Sequence, residues 1–441
     1  MRKSIFKWIW LGLVLVAGLV LFSAAQATQT QTAEAQSSPA VPPTGIICTS
    51  DAGTNPTFVL TAQTGYILLP DGNTMFMWGY SNGNDPFQHP GPVLCVNQGD
   101  TVTVILQNTL NVDASILFPG QENVLANGIP AQPQFDGGGN LTSLTNVAAA
   151  NGGSMAYSFV ANNPGTYVYE SGTDPRMQVG MGLFGVLIVR PTLGADFAYN
   201  RNDSQFTPEE EFLVLLSEID PYQHQAAENG TPFNMNNYKP RYWLINGRGF
   251  PDSVADNYAS WLPNQPYGAL ARIHEFNTDP GAGINYHPYP GMIRYVNVGT
   301  DDFPFHPHGN NGLVIGRDGH PLEGPTGEDL SFEKFSINIG PGQTWDVIFR
   351  WYDAEDYSET NPVPVTIPNL ANMVYGQFYS GGPYLGTPGT LPVGGEGLNQ
   401  CGEYYIISHN HALYQLDAWG VTMAGPITYM RIDPPEPNGC Q

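Results

Sequence analysis

Two pairs of histidines carry the clearest chemical signal in the sequence. Each pair has the spacing His-x-His, and the four residues are His306, His308, His409 and His411. Because side chains at positions i and i+2 of a strand point to the same face, each pair can present two imidazoles together. Imidazoles are common ligands of copper and zinc, and four of them suit one tetragonal Cu(II) or one tetrahedral Zn(II). The pattern predicts a four-histidine metal site, with solvent-facing, merely hydrogen-bonded pairs as the alternative.

The other five histidines and the acidic runs give weaker signals. His287 lies near the start of a strand and either reaches the predicted site or is an ordinary turn histidine. No role is assigned to the four histidines that lie among Pro, Gly and Gln in apparent loops: His89, His224, His274 and His320. The runs Asp301-Asp302 and Glu209–Glu211 could attract Ca²⁺, but neither has the spacing of an EF-hand loop.

Composition restricts both the partners and the fold class. The 441 residues include 15 Lys and Arg against 39 Asp and Glu, so the formal net charge is −24. Such a chain repels phosphate backbones and anionic headgroups, which argues against nucleic-acid binding and polybasic membrane binding, whereas it attracts metal ions. Charged residues make up only 12% of the chain, with 51 Gly and 39 Pro. This composition favours many short strands and turns, and therefore an all-β fold of sandwiches or barrels.

The elements that must position the histidines repeat along the chain. Val104–Asn108 and Ile293–Asn297 are similar strand patterns, each followed twelve residues later by a glycine. Gly165–Tyr169 is echoed by Gly402–Ile406, and each leads to a final strand. Repetition of this kind predicts a duplicated domain, with the second copy carrying both histidine pairs.

The beginning of the chain predicts export. Residues 1–27 combine basic residues, an apolar run and small residues that suit cleavage of a signal peptide, although an uncleaved anchor is the alternative. Residues 28–45 form a low-complexity tether. We then expect domain 1 over 46–195 and domain 2 over 205–436, both outside the cytoplasm in the periplasm, on the cell surface or secreted.

The four cysteines fit an exported chain. An even number favours two disulfides, for which three connectivities exist. The pairs Cys48–Cys95 and Cys401–Cys440 would each close a loop within one half of the chain. A cysteine-ligated metal is the minor alternative, because no Cys-x-x-Cys pair is present.

The histidine segments resemble motifs of a known family. Phe303-Pro-Phe-His306-Pro-His308-Gly resembles the His-Pro-x-His-x-His-Gly motif of the multicopper oxidases. Ser408-His409-Asn410-His411-Ala-Leu-Tyr resembles their His-Cys-His-Ile-x-x-His segment. Three further stretches look like parts of the same family: Pro90–Asp100, Gly165–Ser171 and Arg241–Asp252. The similarity covers about 46–434 and implies two tandem cupredoxin-like Greek-key β-sandwich or barrel domains.

The chain departs from the family at several of its metal ligands. The resemblance implies four His-x-His pairs around a three-copper cluster. Here the first pair falls on Leu117 and Pro119, and the second on Glu170 and Gly172. Half of the cluster is therefore missing. Glu170 could add an oxygen ligand, or it is an exposed strand-end carboxylate.

The family's blue-copper centre is also absent by this alignment. Its cysteine falls on Asn410, and its histidines fall on Phe303 and Gln415. None of these side chains supplies the thiolate that such a site requires. Electron entry through blue copper is therefore not expected.

Two classes of function fit these observations. One is an exported multicopper-oxidase-like protein with a reduced four-histidine copper or zinc site, acting as a weak copper-dependent oxidoreductase or holding metal. The other is a non-enzymatic envelope or extracellular structural protein that reuses the cupredoxin fold and self-assembles or forms a homo-oligomer. The sequence leaves open whether the protein is an enzyme, because function depends on the site and not on the fold.

Overall fold

The computed structural model describes three parts of the chain. They are residues 44–351 except 52, 284–285 and 310, the backbone of the short strands Pro364–Thr366 and Glu396–Leu398, and residues 404–433. The predicted signal peptide, nearly all of the predicted tether and the predicted Cys401–Cys440 disulfide lie outside the described residues. Among the described residues, no helix has the length and apolar character needed to cross a membrane.

The first half of the described chain contains twelve strands and one helix of a single turn. The strands are β1 Cys48–Thr49, β2 Thr57–Leu68, β3 Thr74–Asn82, β4 Val93–Asn97, β5 Thr101–Asn108, β6 Leu125–Ala126, β7 Ile129–Pro130, β8 Gln134–Phe135, β9 Leu141–Ser143, β10 Gly153–Val160, β11 Gly165–Glu170 and β12 Phe184–Arg190. Helix α1, Pro175–Gln178, lies between β11 and β12. The two main sheets have the orders β1-β4-β12-β11 and β3-β2-β5-β10-β6-β7, and β8 pairs with β9.

The second half contains the remaining strands and helix α2, Pro221–Glu228. Its strands are β13 Glu211–Ile219, β14 Tyr242–Ile245, β15 Ala271–His274, β16 Gly291–Asn297, β17 Phe303–Pro307, β18 Gly312–Arg317, β19 His320–Pro321, β20 Phe332–Lys334, β21 Ile337–Ile339, β22 Thr344–Phe349, β23 Pro364–Thr366, β24 Glu396–Leu398, β25 Tyr404–Asn410 and β26 Ile427–Asp433. Single 3-10 turns cover Asn202–Ser204, Pro208–Glu210, Met235–Asn237, Asp252–Val254 and Leu413–Leu416.

The sheets of the second half repeat the pairings of the first. One sheet runs β14-β13-β16-β22-β18-β19, with β20 also on β18, and the other runs β15-β26-β25-β17-β21. In the first half β2 pairs β5 in parallel and β5 pairs β10 antiparallel, as β13, β16 and β22 do in the second. Likewise β4, β12 and β11 correspond to β15, β26 and β25. The all-β prediction is confirmed, whereas the predicted domain boundaries stay a prediction.

Alternation of side chains explains where the cores form. In β5 every second residue is buried, so one face packs inward and the other meets solvent or neighbouring loops. In β13 all nine residues are buried. Phe212, Val214 and Leu216 face the core of the second half, while Leu213 and Leu215 face a cluster that includes Val186 and Ile188 of β12. The uninterrupted apolar run of β13 therefore reflects burial on both faces.

A disulfide ties the first two strands of one sheet together. Cys48 on β1 and Cys95 on β4 are bonded, with their Cα atoms 5.5 Å apart. β1 pairs with β4 in parallel, with Cys48 opposite Val93 and Thr49 opposite Leu94, so Cys95 directly follows the paired residues of β4. One of the two predicted cysteine pairs is thus present in the structure.

A buried network of charges joins the two halves. Arg294 of β16 is 1% exposed, and its Nε lies 2.6 Å from Glu211 Oε1. Its Nη1 donates to Thr166 Oγ1 of the first half at 2.8 Å and lies 3.3 Å from Asp346 Oδ1 of β22. Arg190, at the end of β12, makes a two-pronged contact with Glu211, with both N···O distances at 2.6 Å. Each charged group in the network has an opposite charge beside it, and this pairing offsets the cost of removing the charges from water at the junction.

Removing the central cation should destabilise the protein. Arg294→Ala leaves Asp346 without its guanidinium partner and Glu211 with one cation instead of two. We expect the free energy of unfolding, measured by urea denaturation, to fall by about 3–5 kcal/mol. The matched control is Arg176→Ala, since Arg176 is 71% exposed and pairs only with Asp174. That change should cost under about 1 kcal/mol, and equal losses in the two variants would contradict the network's role.

The same network predicts how stability depends on pH. Burial raises the pKa of Glu211, but the guanidinium groups of Arg190 and Arg294 outweigh that effect and hold the pKa at about 2. An unfolded glutamate titrates near about pH 4.3. Glu211 therefore contributes stability above about pH 4.3, and this contribution is lost as the pH falls through about 2. As the pH is lowered from about 4.3 to about 2, the urea concentration at the denaturation midpoint should fall less steeply for Arg294→Ala than for the wild type. Parallel curves would refute this assignment.

Candidate metal centre

Two antiparallel strands bring the four predicted histidines together. His306 of β17 is the register partner of His409 of β25, so the two side chains project from the same face. The pairing continues past the strand ends, because His308 N donates to Ile407 O at 2.9 Å and His411 N donates to Pro304 O at 2.7 Å. Phe303 and Phe305, on the other face of β17, are fully buried in the core. The core therefore fixes which face the histidines use.

The four imidazole rings form a continuous array along this face. Ring centroids lie 4.7 Å apart for His306 and His308, 5.0 Å for His308 and His409, and 5.5 Å for His409 and His411. His306 also lies 5.4 Å from His411 and 5.8 Å from His409. Three of the rings are half-buried, whereas His411 is exposed. The array is thus open to solvent on one side.

The closest contact joins His308 Nε2 and His409 Nε2, which lie 3.0 Å apart. Two nitrogens that bind one ion at about 2.0–2.1 Å and at a right angle are separated by about 2.9 Å. The pair therefore has the spacing of neighbouring ligands on a tetragonal ion, which Cu(II) prefers. In the absence of an ion, a proton between the two nitrogens makes the same contact a hydrogen bond.

Backbone carbonyls orient two of the rings. His306 Nδ1 donates to Phe335 O at 2.5 Å, and His409 Nδ1 donates to Asn410 O at 2.8 Å. Since a carbonyl can only accept, each contact places the ring proton on Nδ1 and leaves Nε2 with a free lone pair. Histidines that bind metals usually donate their second nitrogen in this way. Sequence analysis missed Phe335, because a main-chain acceptor on a neighbouring turn leaves no mark in residue type.

The environment favours neutral imidazoles, the form that binds metal. Burial lowers the pKa of His308, and the neighbouring rings of His409, His306 and His411 lower it further. Burial also lowers the pKa of His409, with the Asn410 carbonyl opposing this effect. The neighbouring rings make protonation of His308 and His409 less favourable, because adjacent imidazolium charges repel.

The first half has an equivalent position without histidines. Leu117 and Glu170 form a bridge at the end of β11, with N···O distances of 2.7 and 3.2 Å, just as His306 and His409 pair in the second half. A Cβ atom on Gly172 would lie 2.8 Å from the Leu117 side chain. Leu117 therefore fills the space that a side chain at position 172 would need. Burial raises the pKa of Glu170.

Three polar or aromatic residues fill the position that the resemblance assigns to blue copper. Asn410 and Gln415 are fully buried and hydrogen-bonded through their side-chain amides. Gln415 Nε2 also lies 3.3 Å from Asp301 Oδ2 and from Asp302 O. Phe303 lies in the apolar core of the second half. With no thiolate or imidazole among them, these residues do not fit a blue-copper ion.

Comparison with known proteins identifies the relationship. Residues 64–193 match the family model described as multicopper oxidase. A relative, the L-ascorbate oxidase of Cucurbita maxima, is 32% identical over 200 residues, which cover 44% of this chain and 30% of the relative. Over the matched residues the chain is similar to multicopper oxidases. It spans less than a third of the length of that ascorbate oxidase.

Solved structures show which fold the chain has. The multicopper oxidase mgLAC matches with a TM-score of 0.55 and 20% identity, covering 86% of both chains. A blue copper oxidase from Nitrosomonas europaea also matches at 0.55, with 17% identity, covering 86% of this chain and 85% of the other. These matches confirm the predicted cupredoxin-like β-sandwich fold. Copper is the metal that the family implies.

The remaining histidines lie outside the four-histidine array. His224 is in α2, His274 in β15 and His320 in β19. The prediction that these three histidines lie in loops was therefore wrong, because Pro, Gly and Gln along the chain obscured short elements. Among the described residues, His287 makes no ring contact with the four histidines of the array. It lies beside His274, with 5.3 Å between the ring centroids. His89 is buried in the loop before β4.

The filled blue-copper position makes a spectroscopic prediction. The intense blue colour of such sites arises from charge transfer between a thiolate and Cu(II), and Asn410 supplies no sulfur. We therefore expect the protein to show no intense blue absorption when Cu(II) is added, and to couple phenol oxidation to oxygen reduction poorly. An absorption titration followed by an oxygen-electrode assay measures both. An intense blue band would show that another ligand set had formed.

Proposed function

We propose that this chain is an exported multicopper-oxidase-like protein that holds one copper ion on His306, His308, His409 and His411. The supporting observation is the array of four imidazoles on one face of β17 and β25, with His308 Nε2 and His409 Nε2 3.0 Å apart. The protein acts as a metal-holding protein or as a weak oxidoreductase. Its export depends on the leader that residues 1–27 predict.

The donor set favours a single ion. Four neutral nitrogens suit one tetragonal Cu(II), whereas a three-copper cluster needs the second set of histidines. That set is replaced by Leu117, Pro119, Glu170 and Gly172. The Leu117 side chain packs against Gly172, so these two positions of the first half offer no imidazole to a neighbouring ion. Zinc is the alternative ion, in a tetrahedral arrangement.

The chain's own residues limit the chemistry of this site. When bound, copper supplies one-electron redox chemistry and a Lewis-acidic position. The carbonyls of Phe335 and Asn410 hold the protons of His306 and His409 at Nδ1, so that Nε2 of each ring would be available to an ion. The exposed side of the array admits small ligands. Because Phe303, Asn410 and Gln415 provide no electron-transfer centre, a reductant would have to act at the histidine site directly.

Substitution of the closest pair tests this proposal. The variant His308→Ala/His409→Ala removes two adjacent nitrogens, so calorimetric titration with Cu(II) should show one equivalent fewer than in the wild type. The control is His320→Ala, which changes a histidine in β19 outside the array and should retain wild-type stoichiometry. Copper affinity should also fall in acid, because imidazolium cannot bind a metal. Since the pKa values of His308 and His409 are lowered, these two ligands should be lost only below the ordinary imidazole value of about 6.5.

Loss of Cu(II) binding in the double variant would support the proposed site. Because nitrogen sites generally bind Cu(II) more tightly than Zn(II), affinity alone does not distinguish the two ions. Unchanged stoichiometry in the double variant would contradict the proposal, and would favour the structural role in which these histidines only form hydrogen bonds.

A further inference from the structure

A second cluster of possible metal ligands lies at the start of β13, away from the four-histidine array in sequence. Glu210, His274 and His287 each offer a ligand atom, and these atoms all lie within 4.8 Å of one another. Glu210 Oε1 lies 2.6 Å from His274 Nδ1 and 3.2 Å from His287 Nε2. The donor set is two imidazole nitrogens and one carboxylate. This combination is common for zinc and for other divalent transition metals.

Three separate segments position the cluster. Glu210 ends the 3-10 turn Pro208–Glu210 directly before β13, and His274 is the last residue of β15. His287 is held by a two-hydrogen-bond bridge to Asn277, with both N···O distances at 2.9 Å. The Thr207 hydroxyl contacts His287 Nε2 and the Tyr289 carbonyl, at 3.1 Å each. The cluster is therefore supported by backbone contacts on each side.

The contacts of the Glu210 carboxylate are unevenly distributed. Oε1 accepts from the backbone N of His274 at 2.9 Å as well as contacting both rings. Oε2 is buried and has no hydrogen-bond partner within the part of the chain that the structure describes. The side chain is only 2% exposed. A buried, unpartnered carboxylate oxygen is costly, because it has lost its hydration without gaining a donor. A cation beside the carboxylate would compensate that oxygen.

The carboxylate is in the charged form that a cation requires. Burial raises the pKa of Glu210, but the hydrogen bonds from His274 and His287 outweigh burial, and the net pKa is lowered. The neighbouring Glu211 does not compete for the same ion, because its carboxylate is engaged by Arg190 and Arg294. The two adjacent glutamates thus have different partners: Glu210 contacts the two histidines, and Glu211 contacts the two arginines.

We propose that Glu210, His274 and His287 form a second metal site, which takes a divalent ion of the zinc type. His274 and His287 are 39% and 23% exposed, so the side of the site opposite Glu210 is open to water or to a small anionic ligand. An ion there would replace the ring protons that now point at Glu210, and would link β15 and the segment containing His287 to the start of β13. The site is independent of the proposed copper site.

The test uses a background that lacks the proposed copper ligands. In the full-length His308→Ala/His409→Ala protein, calorimetry with Zn(II) should detect one equivalent, and Co(II) should give the visible absorption of a bound ion with nitrogen and oxygen ligands. Adding His287→Ala should abolish both signals, whereas adding His320→Ala should leave both unchanged. Because His287 is partly exposed, this variant should fold, which a thermal melt will verify.

Two outcomes would overturn the proposal. If the background protein binds neither Zn(II) nor Co(II), the cluster is only a hydrogen-bonded pair of histidines around a carboxylate. If the variant with His287→Ala retains the full equivalent, the ion lies elsewhere. Glu210→Gln provides a second check, since it keeps the side-chain shape but removes the charge, and it should weaken Zn(II) binding at least tenfold. Either outcome leaves unchanged the expected difference of one Cu(II) equivalent between the wild type and His308→Ala/His409→Ala, which tests the proposed copper site.

Discussion

The guanidinium of Arg294 is buried between two carboxylates at the junction of the halves, and the arrangement of the second half depends on it. Glu211 and Asp346 belong to β13 and β22, the strands on either side of β16. The same guanidinium donates to Thr166 in the first half. Removing a charged group from water is costly, so each member is tolerated only while the others are in place. The network therefore favours one packing of the two halves over alternatives in which any of these charges would be unpaired.

The duplicated strand pattern could be predicted from sequence, because alternation of apolar side chains reports directly on burial. The repeats Val104–Asn108 and Ile293–Asn297 lie in β5 and β16, which occupy equivalent positions in their sheets. The His-x-His spacing predicts that each pair shares a face, and the ring centroids within the two pairs lie 4.7 Å and 5.5 Å apart. The role of these histidines as metal ligands stays a prediction. Local rules sufficed wherever one strand and its period determined the result.

Features that depend on distant partners could not be predicted. Arg294 and Thr166 look like ordinary strand residues, and only tertiary structure shows that both are buried in one network. Glu210 and His274 are separated by 64 positions, with no periodicity to connect them. Phe335 O lies between β20 and β21 and Asn410 O at the end of β25, and the position of each follows from the path of the backbone rather than from side-chain type. Such contacts are absent from a residue pattern because main-chain groups are the same at every position.

The contact between Leu117 and Gly172 has an evolutionary consequence. A histidine introduced at position 172 would collide with the Leu117 side chain, which a Cβ atom alone would approach to 2.8 Å. A histidine at position 117, without its partner, would gain too few ligands to bind an ion firmly. Each single substitution to histidine at these positions would therefore either bring no firm metal binding or cause a steric clash. Placing a working set of histidines in the first half would therefore need coordinated changes on two segments at once.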